Sequence, residues 1–172
     1  MRPSDSEIAR RIRAMVTSNI ARDGLHIQHV FGSENSPPFS YTIGMTNIGA
    51  PELIVFGLPP EVIHGAIMEY FNQLRMCHRP KDGRMIKDLW DVTMLLETVE
   101  NDEAAPYTVQ ADAYFEDMGR KPTYKQMLWP DQGGKYPHQY GYNREYRAIQ
   151  RYIANRHPRL DDDYGAAYFS FH

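Results

Sequence analysis

Cysteine is almost absent from this 172-residue chain, in which Cys77 is the only one. A single thiol cannot form a disulfide within the chain, so disulfide-stapled secreted scaffolds are excluded. Long apolar runs are also missing, since none approaches the roughly 18 residues that a membrane-spanning helix needs. The opening MRPSDSEIARR lacks the apolar segment of a signal peptide. These absences predict a soluble, cytoplasmic protein.

An excess of one charge and the common catalytic motifs are missing as well. The formal net charge is −3, which disfavours nonspecific binding to nucleic acid. The chain contains no HExxH or CxxC motif, no GxSxG elbow and no glycine-rich phosphate loop. The acidic run Asp161–Asp163 lacks the spaced oxygens and the glycine of a calcium loop. We therefore predict no metal site, and the sequence identifies neither a catalytic residue nor a cofactor.

The clearest structural signals that are present lie between Pro37 and Pro60. Apolar residues alternate with small or polar ones along Phe39–Met45, the period of a strand with one buried face. The unbroken apolar run Leu53–Phe56 predicts a strand that is covered on both faces and central in its sheet. Gly57 ends this run before a pair of prolines that opens a helix. We expect Gly57 to adopt a backbone conformation that other residues disfavour.

The remaining elements follow from capping signals and from helix or strand periods. A capping box at Ser4 begins a helix that ends at Asp23, before Gly24. The segment Tyr107–Met118 fits a helix and a strand equally well. Further predictions are strands over Leu25–Phe31, near the end of Met85–Val99 and over Tyr124–Trp129, a surface loop over Arg75–Arg84, an exposed acidic connection over Glu97–Glu103, and a helix from Asn143 to Asn155.

Together these elements predict one α+β domain, in which helices pack on a mainly antiparallel sheet. The N-terminal helix spans residues 4–23, the α+β core spans 24–157, and a C-terminal tail spans 158–172. The core is large enough to fold around a single apolar interior.

Three segments resemble the DUF4262 family, a bacterial and phage group of unknown function. They are PPFSYTIGM from Pro37, PELIVFGLPPE from Pro51 and QMLWPDQGGKYP from Gln126. The resemblance departs from the family pattern twice: Ala50 replaces a histidine that commonly precedes PEL, and His138 replaces a tryptophan. It implies a compact domain and candidate site positions, but no reaction. If that histidine or tryptophan is catalytic in relatives, this chain has lost it.

The third of these segments gathers aromatic, acidic and basic side chains, the groups that ligand pockets combine. We predict that it forms a pocket with strand residues 41–44, for a nucleotide-like or other anionic small molecule. The predicted ligand-binding residues are Tyr41, Thr42, Trp129, Asp131, Lys135, Tyr136 and His138. The alternative is structural, with Trp129 and Tyr136 closing the core and Asp131 capping a turn.

Tyrosine and arginine are concentrated towards the end of the chain, where ten of the 12 tyrosines lie between Tyr107 and Tyr168. Both residue types are favoured at protein interfaces. The alternative function is therefore a protein-binding module of immunity or phage-inhibitor type, or a homo-oligomer. A solvated face with packed tyrosine rings explains the same composition. Nucleic-acid binding, through stacking on bases, is the third and least favoured function.

Overall fold

The computed structural model describes residues 4–76, 85–89 and 92–154, with the main chain alone for 85–89. Its strands are β1 (His26–Val30), β2 (Phe39–Ile43), β3 (Glu52–Phe56), β4 (Met85–Leu89), β5 (Val92–Val99) and β6 (Tyr124–Leu128). Its α-helices are α1 (Asp5–Asp23), α2 (Pro60–Arg75), α3 (Asn101–Ala104) and α4 (Val109–Glu116). Short 3₁₀ helices cover Met45–Ile48 and Arg144–Ala148.

The strands form one sheet in the order β1-β2-β3-β6-β5-β4. Neighbouring strands are antiparallel, except that β3 and β6 run parallel. One face of the sheet packs against α2, and the other packs against α1, α3 and α4. The predicted α+β class with a mainly antiparallel sheet is thus confirmed. Within the described residues, no helix is both long and apolar enough to cross a membrane.

Helix α1 begins and ends where its capping signals predict. The Ser4 hydroxyl accepts a hydrogen bond from the Glu7 N–H, and the Glu7 carboxylate accepts one from the Ser4 N–H. Gly24 ends the helix in the left-handed conformation. The apolar side chains of α1 are only partly buried, because α1 contacts the sheet at its outermost strand, β1. Val16 lies in the core, whereas Ile8 and Met15 are exposed.

Strands β1 and β2 form an antiparallel hairpin. The prediction that β2 has one buried face is wrong, because all five of its residues are buried. Phe39, Tyr41 and Ile43 pack on the side of α1 and α4. Ser40 and Thr42 therefore point to the α2 side. Polar side chains at alternate positions usually indicate a solvent-exposed face. Here both hydroxyls form hydrogen bonds inside the protein instead.

Strand β3 is central and covered on both faces, as predicted. All its residues are buried, and Ile54 and Phe56 have no exposed surface. The expected backbone conformation of Gly57 is confirmed, since its φ is +80°. A Cβ at this position would lie 2.5 Å from the carbonyl oxygen of Ile149. Helix α2 follows and buries the predicted face against the sheet.

The predicted exposed connection over Glu97–Glu103 is not an irregular connection, although most of its residues are exposed. Its first residues belong to β5, and α3 begins at Asn101. Val99 and Ala104 are buried, because a strand or a helix with one buried face can carry acidic residues on the other. The ambiguous segment after Tyr107 contains the helix α4. Most of the predicted loop after Arg75, together with Trp90, lies outside the described residues.

Strand β6 is the predicted last strand and lies between β3 and β5. Asn143 caps the next turn as predicted, but that turn is a 3₁₀ helix that ends at Ala148, so the predicted helix to Asn155 is wrong. The chain then continues without regular structure, and the side chain of Gln126 accepts two of its backbone N–H groups. The N–H groups of Ile153 and Ala154 thus donate to a side chain and not to the backbone carbonyls of a helix. We call residues 142–154 the strap; the tail 158–172 lies outside the described residues.

Candidate functional site

The strand register defines two ends of the sheet. At the carboxyl end, β3 and β6 finish at Phe56 and Leu128, and β2 begins with Phe39 opposite Phe56. At the amino end, β3 and β6 begin at Glu52 and Tyr124, which pair with each other. The predicted ligand-binding residues are distributed over both ends.

A buried carboxylate, Glu52, organises the amino end. Its Oε1 accepts hydrogen bonds from the N–H of Gly44 (3.1 Å) and from the N–H (2.9 Å) and hydroxyl (2.7 Å) of Thr46. Its Oε2 accepts from the hydroxyl of Thr42 (2.6 Å) and the N–H of Met45 (3.3 Å). These donors replace the water that a carboxylate loses on burial. Glu52 therefore fixes the turn between β2 and β3.

The same bonds give Thr42 a structural role. Its hydroxyl donates to Glu52 and also accepts from the N–H of Leu53 (2.9 Å). Sequence reasoning missed Glu52, although one signal was present: a lone acid at the start of an apolar strand must find partners if the strand is buried on both faces. The family-like segments around Thr42 and Glu52 thus meet in a hydrogen-bond network.

Tyr41 is fully buried on the face of the sheet that packs against α1 and α4. Burial raises the pKa of its hydroxyl to about 12; the backbone N–H of Gln110 acts against this shift, and the charge of Asp112 adds to it. Among the described residues, the hydroxyl makes no hydrogen bond of good geometry. The neighbouring Tyr124 hydroxyl donates to Asp112 (2.6 Å). Tyr41 is therefore a core residue beside a small polar cluster.

Asp131 organises the loop that follows β6 at the carboxyl end. Its Oδ1 accepts from the N–H groups of Gly133 and Lys135, both at 2.9 Å, and its Oδ2 accepts from the N–H of Asn143 (2.8 Å). Burial alone would raise the pKa of Asp131, but these three backbone bonds and the charge of Lys135 lower it below its usual value. Its carboxylate thus joins the loop to the strap.

Trp129 bridges the carboxyl ends of the two parallel strands. Its indole N–H donates to the carbonyl oxygen of Phe56 (2.8 Å). Its backbone N–H donates to Gln150 (3.0 Å), whose side-chain amide donates back to the Trp129 carbonyl (2.8 Å). The Tyr146 ring packs edge-on against the indole. Trp129 therefore closes the core, as the structural alternative predicted.

The other predicted residues of this loop also make contacts within the protein. The Tyr136 hydroxyl donates to the carbonyl of Thr93 (2.6 Å), and the Lys135 ammonium donates to that of Tyr140 (3.0 Å). The His138 ring packs against those of Tyr136 and Tyr152. These contacts have structural roles; whether any of these residues binds a ligand stays a prediction.

The predicted juxtaposition of this loop with strand residues 41–44 is wrong. Tyr41 lies opposite Ile54, which pairs with Gln126, three residues before Trp129. From Tyr41, β2 runs towards the amino end, away from the loop. Tyr41 and Trp129 also belong to core clusters on opposite faces of the sheet. Sequence reasoning failed because it could not give the direction of β2 relative to β6.

A polar pair that contains a partly exposed titratable ring lies on the hairpin, towards the carboxyl end. Nδ1 of His29 is 2.6 Å from Oγ of Ser40, the residue opposite it on β2. Ser40 is 2% exposed, whereas the His29 ring is partly exposed. Nε2 of His29 makes no hydrogen bond to the described residues and is not one of their buried polar atoms. The fold thus holds one ring nitrogen and leaves the other accessible.

Helix α2 places two exposed titratable residues near this ring. Glu61 and His64 are three residues apart, and so lie on the same side of the helix. Burial lowers the pKa of His29, the charges of His64 and His26 lower it further, and Glu61 opposes them. A ring with a lowered pKa is neutral at pH 7 and can accept or donate one hydrogen bond through its free nitrogen. We call His29, Ser40, Glu61 and His64 the His29 site.

His26 faces the opposite side of the sheet, as its odd spacing from His29 predicts. Its Nδ1 lies 2.9 Å from the side-chain amide of Asn19 on α1. Sequence reasoning missed the pair that His29 forms with Ser40. Such a pair becomes visible only once the hairpin register is known. The described residues contain no cluster of three or more side chains that could hold a metal ion.

An open depression of about 650 Å³ lies at the other end of α2, lined by Glu69, Asn72, Gln73, Arg75 and Met76. It borders the part of the chain that the structure does not describe. It contains none of the predicted ligand-binding residues.

Comparison with known proteins gives a family but no activity. A family model described as "Domain of unknown function (DUF4262)" matches residues 19–143, well over half of the chain. No curated protein and no solved structure matches the chain. The matched range contains β1, β2, β3, β6 and the loop of Asp131, whose contacts are described above. The chain therefore belongs to the DUF4262 family.

Proposed function

We propose that the protein binds a small molecule at the His29 site. The observation that supports this is the 2.6 Å contact between His29 Nδ1 and the buried Ser40, which fixes a partly exposed imidazole ring. Binding sites need a few polar groups that are held in place before the ligand arrives. Exposed side chains usually lack such support, whereas this ring is held from beneath by a strand in the core.

The surroundings of the ring suit a ligand of limited size. Glu61 and His64, on α2, act on the His29 ring with opposite effects on its pKa, so further polar groups are available to orient a ligand. The polar residues of the loop after β6 make contacts within the protein, so we do not assign them to the site. The proposal places the protein in the bacterial cytoplasm, encoded by the bacterium or by a phage, in keeping with its single cysteine.

The proposal is tested by screening a fragment library against protein in which the histidine rings are isotope-labelled for NMR. We expect hits that shift the ring resonances of His29 and His64 and leave those of His26 unchanged. His29→Gln should abolish these hits. His26→Gln is the matched control, because it alters the same strand on the opposite face. Hits that survive His29→Gln, or a library without hits at His29, would contradict the proposal.

A second function, binding of a protein partner, is favoured by two exposed aromatic rings. Phe31 and Tyr140 are 88% and 87% exposed, and both lie in segments that follow strands at the carboxyl end of the sheet. Exposed aromatic side chains are common anchors of protein interfaces. Most of the other described tyrosines pack their rings in the protein, so the composition of the C-terminal region is not the support for this function. Pull-down from a native lysate with wild-type and Phe31→Ser protein tests it: the partner should be lost with the ring.

A further inference from the structure

The hydrogen bond between His29 and Ser40 defines which ring nitrogen carries the hydrogen. Ser40 is 2% exposed, and Nδ1 of His29 is its one side-chain partner among the described residues. If Nδ1 carried the hydrogen, it would donate to Ser40 Oγ, and the buried hydroxyl hydrogen would have no acceptor. Leaving a buried donor unpaired is costly. The hydroxyl of Ser40 therefore donates to Nδ1.

This assignment determines what the ring offers to a ligand. In a neutral imidazole, one nitrogen accepts and the other carries the hydrogen. Since Nδ1 accepts from Ser40, Nε2 carries the hydrogen and is a donor. Nε2 is also the nitrogen that reaches the surface. The exposed side of the ring thus presents an N–H group, and a ligand must bring an acceptor to it.

One further feature at the start of α2 favours an oxygen acceptor with negative charge. The helix has proline at its N-cap and no side-chain cap, so its first free N–H groups have no side-chain acceptor. The negative charge of Glu61 acts on the His29 ring, so it disfavours a ligand of high charge.

We propose that the His29 site recognises an oxyanion, a carboxylate or a phosphate monoester, through a hydrogen bond donated by Nε2 of His29. The orientation of this donor is set by Ser40, which is therefore a positioning residue. The inference rests on the proposed function, since it specifies the ligand class of the same site.

The first test determines the tautomer of His29 directly. Nitrogen-15 NMR of the ring distinguishes a protonated from an unprotonated nitrogen, and it needs no ligand. At pH 7.5, we expect His29 with hydrogen on Nε2 and an acceptor at Nδ1. Hydrogen on Nδ1 would overturn the inference and leave the proposed function standing. This measurement uses the wild-type chain, so it does not depend on the folding of a variant.

The second test compares probes of one shape and different charge. Benzoate and phenyl phosphate should shift the His29 Nε2 resonance saturably, and benzylamine should not. A preference between the two anions then separates carboxylate from phosphate ligands. Ser40→Ala should weaken binding of the better anion about tenfold, the upper end of what one hydrogen bond between neutral groups contributes. His26→Gln should leave its affinity unchanged.

The outcomes separate the two proposals. If benzylamine binds at His29 and the anions do not, the oxyanion inference is wrong while small-molecule binding remains. If Ser40→Ala folds and binds the anion as tightly as the wild type, Ser40 does not position the donor. If neither these probes nor any fragment of the screen shifts His29, the proposed function itself is wrong.

Discussion

At the scale of single residues, Gly57 combines two constraints that usually occur apart. Its φ of +80° disfavours any side chain, and a Cβ would also meet the carbonyl of Ile149 in the strap at 2.5 Å. Gly49 has a similar φ of +74°, but apart from its chain neighbours no atom lies within 4 Å of where its Cβ would be. The two glycines therefore separate backbone strain from steric contact.

We predict that Gly57→Ala lowers the free energy of unfolding by about 3 kcal/mol, at the upper end of the cost of a strained backbone. Gly49→Ala, the control, should cost about 1 kcal/mol, because it carries the strain without the contact. Urea denaturation of the two variants measures the difference. Equal losses would show that the strap moves away from position 57 at no cost.

At the scale of elements, the conformation of the loop after β6 depends on the carboxylate of Asp131. Three backbone N–H groups, two from the turn that follows Asp131 and one from the strap, donate to the one carboxylate. Asparagine at this position keeps one oxygen acceptor. Its NH₂ group takes the place of the other oxygen and faces a backbone N–H, which it cannot accept from. Although the sequence suggested a ligand-binding role for Asp131, these contacts now predict an effect on stability.

Asp131→Asn should therefore lower the free energy of unfolding by about 2 kcal/mol, the cost of leaving a buried donor unpaired. Asp102→Asn, on the exposed side of α3, should change it by less than about 0.5 kcal/mol. Chemical denaturation compares the two variants. A neutral Asp131→Asn variant would mean that the strap does not need the carboxylate.

The elements that the sequence predicts well are those with a local cause. The capping box of Ser4, the apolar run before Gly57 and the prolines after it act within a few residues, and α1, β3 and α2 follow them. Strand β2 and the strap depend on distant partners. The burial of Ser40 requires His29, and the loss of the final helix requires Gln126.

The candidate site was less predictable than the fold for the same reason. The loop of Trp129 has the composition of a pocket, but its polar groups bind each other and the strap. The pair of His29 and Ser40 has no motif in the sequence. It exists because a hairpin register places two residues, 11 positions apart, opposite each other.

At the scale of the whole molecule, the partly buried histidines make stability depend on pH. Burial lowers the pKa of His26, although its bond to Gln28 opposes this, and the pKa of His29 is lowered as well. In the unfolded chain, both rings titrate near their ordinary pKa of about 6.5. Between this value and the lower folded value, the unfolded state binds more protons, so acid favours unfolding.

We therefore predict that the free energy of unfolding is fully maintained above about pH 6.5 and falls as the pH decreases through the folded pKa values. Urea midpoints measured from pH 7.5 to 5 test this. His26→Gln should flatten the profile, since it removes one of the two groups. Asp102→Asn is the control, because that side chain lies on the exposed side of α3 and contacts neither histidine. A profile that does not change in His26→Gln would contradict this account.

The parallel pairing of β3 with β6 also has a consequence for synthesis on the ribosome. Once α2 has emerged, β1, β2 and β3 can form an antiparallel unit, but the partner of β3 on its other side is still to be made. The 72 residues that follow Phe56, up to Leu128, take on the order of 4 to 14 seconds to translate. During that interval, β3, which is fully buried in the finished protein, is an unpaired apolar edge. Nascent chains aggregate through edges of this kind. The nascent chain is therefore prone to aggregate through β3, a strand that the finished protein buries completely.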